Sequence, residues 1–314
     1  MRNLGPTPLL LVLLTTAACE ADPDDTGPGV ELVDVWIEAS TPALTTRDTV
    51  EMTLLVENAF GQVVDATDEA IFTSSDPAIL DFFEPTTGQP ILGGAVTITG
   101  SIGGYEDTVE VAVTLSPVQL GDLVFNEVLS DATVDGDPNG DGTTDGVEDE
   151  FVEIANRTGV TVDLSGAMLV ERSWSEFLPR HTFAEETLLR AGEAIVVFGG
   201  GDAESLSADF ATFVIADNDD PGTLYGLSLE DTGETMRLLA DDGATVLASV
   251  SFGAASGGTP PAPDDASLVL DPEVTGTAYV DHAGLGDAIG WFSPGTYADG
   301  SAFEGPRVFY GGEE

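Results

Sequence analysis

The residues best suited to chemistry lie in one stretch, Asp137-Pro-Asn139-Gly-Asp141-Gly142-Thr143-Thr-Asp145-Gly-Val-Glu148. Oxygen-bearing side chains fall at positions 1, 3, 5, 9 and 12, with a glycine at position 6. With the Thr143 carbonyl at position 7, this is the spacing by which a twelve-residue loop wraps a hard cation in carboxylates, carbonyl and water. The implied cofactor is Ca2+, with Asp137, Asn139, Asp141, Thr143, Asp145 and Glu148 as ligands. A register starting at Asp135 also fits the first six positions, but it puts Gly146 where the bidentate carboxylate belongs. Starting at Asp137 puts Glu148 there and is preferred. The alternative to a cation site is an acidic, solvated loop. A loop of the extracellular type would hold calcium with a dissociation constant of about 10⁻⁴ to 10⁻³ M.

The flanks of this loop are not helical. Gly, Pro and Asp crowd its upstream side, and Glu150-Phe-Val-Glu-Ile-Ala155 downstream alternates like a strand. Two strand glutamates, Glu127 and Glu153, join Asp135 as candidates for accessory oxygens at the metal. Their plainer reading is outward-facing strand residues.

Charge narrows the possible partners. The 314-residue chain has 57 acidic residues against 8 basic ones, for a net charge of −49, and none of the basic residues is lysine. Such a surface repels phosphate backbones, so no nucleic-acid partner is expected. Apolar residues make up 42% of the chain, enough for packed cores, and its length suits two domains.

The only cysteine is Cys19, which excludes a disulfide scaffold. Met1-Arg2, then Pro8-Leu-Leu-Leu-Val-Leu-Leu14, then Thr16-Ala-Ala-Cys19 resembles a bacterial lipoprotein signal over residues 1–18, in which the cysteine sulfur is acylated. An ordinary secretory signal cut near Ala18 is the rival reading. Acyl chains contribute about 0.8 kcal/mol per buried CH₂, so two or three anchor a protein to a membrane. An acidic Pro/Gly tether follows over 19–29. The expected location is the bacterial cell envelope, its outer membrane or surface, with an envelope or extracellular protein or glycan as partner.

Residues 30–116 read as all-β. Val30–Ile37, Thr49–Val56, Ala95–Thr99 and Thr108–Thr114 have strand patterns, separated by turns such as Asn58–Gly61 and Gly103-Gly104. Phe72-Thr-Ser74-Ser75-Asp76-Pro77 and Gly94-Ala-Val-Thr-Ile-Thr99 resemble motifs of bacterial Ig-like domains of group 2, with Phe72 where tryptophan is usual.

After a linker at 116–120, residues 121–303 read as a second all-β unit, followed by a tail over 304–314. Strands are expected at Leu123–Leu129, Glu150–Asn156, Met168–Glu171, Glu193–Phe198, Gly226–Leu229, Thr235–Leu239 and Val246–Phe252. Hairpin turns are expected at Asp231–Gly233 and Asp241–Gly243. Six motifs occur in order: Phe125-Asn126-Glu127-Val128; Glu150-Phe151-Val152-Glu153-Ile154-Ala-Asn156; Val162-Asp163-Leu164-Ser165-Gly166; Leu189-Arg-Ala-Gly192 with Val196-Val197; Gly226–Leu229 with Gly233–Leu238; and Phe292-Ser293-Pro294-Gly295-Thr296. Together they resemble the lamin tail domain family. That resemblance implies an Ig-like β-sandwich and a non-catalytic module of bacterial envelope proteins, with Ala167-Met168 departing where Gly-Trp is usual. Two Ig-like β-sandwiches in tandem are the expected architecture.

Catalytic signals are sparse. There is no Gly-x-Ser-x-Gly elbow and no Gly-Lys phosphate loop, and only two histidines, His181 and His282. His181 reads as a surface or packing residue, Asp281-His282 as a neighbour pair, and Trp36, Trp174 and Trp291 as core or rim. Asp217-Asn-Asp-Asp220 is an acidic turn or a second cation site. The functional expectation is a calcium-stabilised, lipid-anchored binding or structural protein. The competing readings are a calcium-dependent secreted hydrolase or phosphodiesterase, or an accessory module to one. Nucleic-acid binding by analogy with eukaryotic lamin tails conflicts with the charge.

Overall fold

In the computed structural model, the described residues are 31–305 apart from 131, 133–135, 174–175, 218–225 and 256–265. The proposed signal, Cys19, the tether, Asp135, Trp174, 218–220 and most of the tail lie outside them. The chain divides into two compact units at Ser116/Pro117. Among the described residues both are built from strands and three short 3-10 turns, with no α-helix.

The first unit has nine strands: β1 (Leu32–Ala39), β2 (Ala43–Thr45), β3 (Val50–Asn58), β4 (Val63–Asp65), β5 (Ile71–Ser74), β6 (Leu80–Phe82), β7 (Thr87–Pro90), β8 (Gly94–Ile102) and β9 (Tyr105–Thr114). They form one sheet ordered β1-β3-β7-β6, with β4 on β3, and another ordered β2-β9-β8-β5. In β3, alternate residues Val50, Met52, Leu54 and Val56 are buried and those between are not, as expected of a strand with one core-facing side. They pack against Phe72, Val96, Ile98 and Val111 of the second sheet. Gly103-Gly104, with φ of 57° and 86°, supplies the left-handed turn that a tight β8–β9 hairpin requires.

The second unit has twelve strands: β10 (Leu123–Leu129), β11 (Phe151–Asn156), β12 (Val162–Asp163), β13 (Met168–Ser173), β14 (Glu176–Thr182), β15 (Leu188–Leu189), β16 (Ala194–Phe198), β17 (Ala211–Ile215), β18 (Thr235–Leu239), β19 (Val246–Ser251), β20 (Leu268–Asp271) and β21 (Ala278–Asp281). A six-stranded sheet runs β17-β16-β11-β10-β20-β21, a four-stranded one β14-β13-β18-β19, and β12 pairs with β15. The main core lies between the two large sheets. Phe125, Val128, Val152, Ile154, Ile195 and Val197 meet Leu169, Met236, Leu238 and Val250 there.

Several expectations change here. Gly226–Leu229 is not a strand, and Asp231–Gly233 is a turn leading into β18 and not a hairpin between paired strands. His181 is the penultimate residue of β14. The short or irregular strands β12, β14, β15, β17, β20 and β21 carry little periodicity of their own. The larger change concerns the six-stranded sheet. Every residue of β11 is buried, because the face away from the core is covered too. Phe151, Val196 and Phe198 pack there on Phe213 and Phe292, and Ala155 and Ala194 pack on Phe303. A sheet covered on both faces cannot show the clean alternation of a half-exposed one.

Candidate functional site

The acidic loop connects β10 to β11, two central strands of the six-stranded sheet. Its backbone turns through a series of side-chain caps. Asp137 Oδ2 accepts the N–H of Gly142 at 2.9 Å, Asn139 Oδ1 that of Asp141 at 3.0 Å, and Asp141 Oδ1 that of Thr143 at 2.7 Å. Asp145 Oδ1 accepts from Val147 at 2.9 Å and Glu148 at 3.1 Å. These amides hold the Asp145 carboxyl below its ordinary pKa. Asp and Asn are the residues that cap backbone amides in this way, so the same letters that predict ligands also wind the loop. Gly142, at position 6, takes φ of 89°, the left-handed conformation that a side chain would strain.

The loop is seated on the turn after β16. Asn139 is fully buried, and its Nδ2 donates to the carbonyls of Gly200 at 3.3 Å and Glu148 at 3.5 Å. Gly200 N–H donates to Glu148 O at 3.0 Å, and Ser205 Oγ donates to Gly140 O at 2.9 Å. A Cβ on Gly200 would lie 2.8 Å from Glu148 Cγ, and one on Gly201 would lie 2.6 Å from Asp141 Oδ2. The Gly199-Gly200-Gly201 run therefore permits a contact that any side chain would block.

Asp137, Asp141 and Thr143 are exposed, and Asp145 and Glu148 are half-buried. As the side chains stand, no three His, Cys, Asp or Glu groups among the described residues converge to hold an ion. The donor set, four carboxylates with an amide and a backbone carbonyl, is of the hard-oxygen kind that calcium takes, and one further atom bears on the fit. Asp149 follows the loop directly and is fully buried. Its Oδ2 accepts the Asp145 N–H at 2.8 Å, while its Oδ1 has no hydrogen-bond partner. Burial, helped by the nearby Asp137 and Asp141 charges, pushes the Asp149 carboxyl up to about 6, against the pull of the Asp145 and Asn139 amides. The loop's surroundings thus hold more negative charge than the protein neutralises.

Glu127 and Glu153 are neither outward-facing nor among the loop's hydrogen-bond partners. A bulge at Asn126 puts Phe125 and Val128 on the same core-facing side and sets Glu127 opposite Glu153. Both carboxylates are fully buried on the other face. Glu127 accepts from Ser267 Oγ at 2.5 Å, and from Ser293 N and Oγ at 2.9 Å each. Glu153 accepts from Asn126 Nδ2 at 2.8 Å and Gly295 N at 2.7 Å. These donors come largely from residues 267–295, so the pair fixes the C-terminal segment to the sheet. Desolvation raises Glu127 to about 7 and Glu153 well above the usual carboxylate range. His282, also buried, lies 3.1 Å from Ser293 Oγ through Nε2.

A second buried group surrounds Arg180, and the sequence reading missed it. Arg180 pairs with Glu171, both buried on neighbouring strands. Glu150 accepts Leu229 N–H at 3.0 Å. Neither carboxylate oxygen of Glu234 has a hydrogen-bond partner. Burial drives both Glu150 and Glu234 to about 9, each further raised by neighbouring acids and lowered by Arg180. In a chain this acidic, sequence could not separate three buried glutamates from the many at the surface.

The remaining candidates are ordinary. His181 stacks edge-on against Phe183 at 4.7 Å and faces Asp217 at 3.5 Å. Asp217 also accepts the Thr182 N–H. Trp36 is half-buried, while Trp291 is 56% exposed and so belongs to the rim.

Comparison with known proteins bears on the second unit. The family model for the Lamin Tail Domain matches residues 117–254. The match ends before β20 and β21, which extend the same sheet beyond it. Among solved structures, a DUF4876 family protein from Bacteroides thetaiotaomicron is similar at 9% identity and a TM-score of 0.27, over 66% of this chain and 62% of that one. The chain thus spans less than two thirds of that protein. Domains 5-6 of the S-layer protein SbsC are similar at 13% identity and a TM-score of 0.22, over 70% of this chain and 95% of that one. No curated protein matches the sequence. The opening Asn126-Glu127 strand, the Phe151–Asn156 strand and the hairpin through Gly243 lie in the matched span as paired strands of two packed sheets. Over residues 117–254, within its second unit, the chain is similar to the lamin tail domain.

Proposed function

We propose that this is a non-catalytic cell-envelope lipoprotein whose lamin tail domain is stabilised by calcium at the 137–148 loop and serves a binding or structural role. The observation that carries the reading is the capped, glycine-seated loop between two central strands. Asp137, Asn139, Asp141, the Thr143 carbonyl, Asp145 and Glu148 would hold the ion. Calcium would neutralise their clustered charge and tie the β10–β11 connection to the turn after β16. Anchoring rests on Cys19 and its flanking signal-like sequence. The partner would be an envelope or extracellular protein or glycan, reached without lysine and at high negative charge. The hydrolase alternative draws little support from the buried Glu127–Ser293–His282 line. There the serine hydroxyl donates to the carboxylate, whereas a nucleophile would hand its proton to the imidazole.

The test is thermal unfolding with and without calcium. If the site binds in the expected range, about 10 mM ion adds roughly 1.4 to 2.7 kcal/mol. The double variant Asp141→Ala/Glu148→Ala should lose that gain. An equal gain in the double variant would remove the site assignment.

A further inference from the structure

Asp149 stands outside the twelve-residue ligand pattern, yet it is a buried acid with an unpartnered oxygen directly beside it. It is fully buried, and Oδ1 receives no hydrogen bond. A buried carboxylate oxygen without a partner is strongly destabilising unless a positive charge or a proton reaches it. The charged groups that act on Asp149 are Asp137 and Asp141, which make its position worse. The other buried acids differ on this point. Glu171 has Arg180, Glu234 also feels the Arg180 charge, and Glu127 and Glu153 have several donors between them. Beside Asp149 lies the loop whose oxygen spacing fits the twelve-residue calcium pattern, and its Oδ2 holds the Asp145 amide, at position 9 of that loop.

We infer that Asp149 is a further, specificity-determining anion of the calcium site, placed to act on the ion from the buried side of the loop. This rests on the calcium reading above. Asp149 adds a fifth carboxylate to Asp137, Asp141, Asp145 and Glu148. A site with that charge discriminates against monovalent ions and favours higher valence, since affinity in such loops is set by ligand charge and rigidity. Because Asp149 lies just before β11 and Asp145 belongs to the loop, the ion would join the loop to the end of the sheet.

The test is calorimetric calcium titration of the full chain, wild type against Asp149→Asn. The amide keeps an oxygen for the Asp145 N–H and removes the charge. The expected result is calcium binding weakened by about tenfold or more, with a raised melting temperature in chelator. Terbium luminescence should report the same loss. Unchanged calcium affinity in Asp149→Asn would leave the wild-type site standing and overturn this assignment alone. A wild-type chain that binds no calcium would overturn both. Should the asparagine variant fail to fold, Asp149→Ser, smaller and uncharged, is titrated in its place and read in the same way.

Discussion

Glu234 offers the sharpest test of the buried electrostatics. It is 3% exposed, neither of its oxygens has a hydrogen-bond partner, and burial raises its pKa from 4.5 to about 9. A carboxyl whose folded pKa exceeds its unfolded one contributes most below pH 4.5, and that contribution is lost as pH rises towards 9. At about 1.4 kcal/mol per pH unit, three units from pH 5 to 8 remove on the order of 4 kcal/mol. Glu234→Gln cannot ionise and should escape this loss. Its amide adds a buried donor, at about 1 to 3 kcal/mol. The variant should therefore be more stable than wild type at pH 8 by about 1 to 3 kcal/mol, and equal or less stable at pH 5. Urea unfolding followed by circular dichroism across pH 5 to 8 measures both curves. Parallel curves, differing by a constant, would mean that Glu234 is ionised in the folded protein or solvated after all, and would refute the reasoning.

Two other outcomes follow from the same structure. Gly201→Ala adds a methyl group at φ of 73°, 2.6 Å from Asp141 Oδ2, so it should lower stability by about 1 to 3 kcal/mol and weaken calcium binding, both read from melting curves with and without the ion. Cys19→Ser should move the protein from the membrane to the soluble fraction of producing cells, and a variant that stays with the membrane would end the anchoring proposal.

Much of the scaffold was legible from the letters because its signals are local. Alternation in Val50–Val56 needs only one buried face, and Gly103-Gly104 needs only its own backbone freedom. The turns of the loop at Asp137 were legible for the same reason: Asp and Asn side chains cap amides only a few residues away. Gly226–Leu229 failed because four residues of apolar pattern suit a buried loop as well as a strand. β17 escaped because its pairing is parallel and comes from a neighbour, β16, whose partner residues lie seventeen positions back along the chain.

The sequence alone therefore determined the β class, the division near residue 116, the acidic loop and the run of motifs that resembles a lamin tail domain. Only the tertiary structure decided which acids are buried. Glu127, Glu153, Glu150, Glu234 and Asp149 look in the chain like any of its 57 acidic residues. They differ because residues far away along the chain, from Gly199–Gly201 to Ser293–Gly295, cover them and supply or withhold donors. Desolvation depends on what lies overhead in space, and no local pattern of residues encodes it.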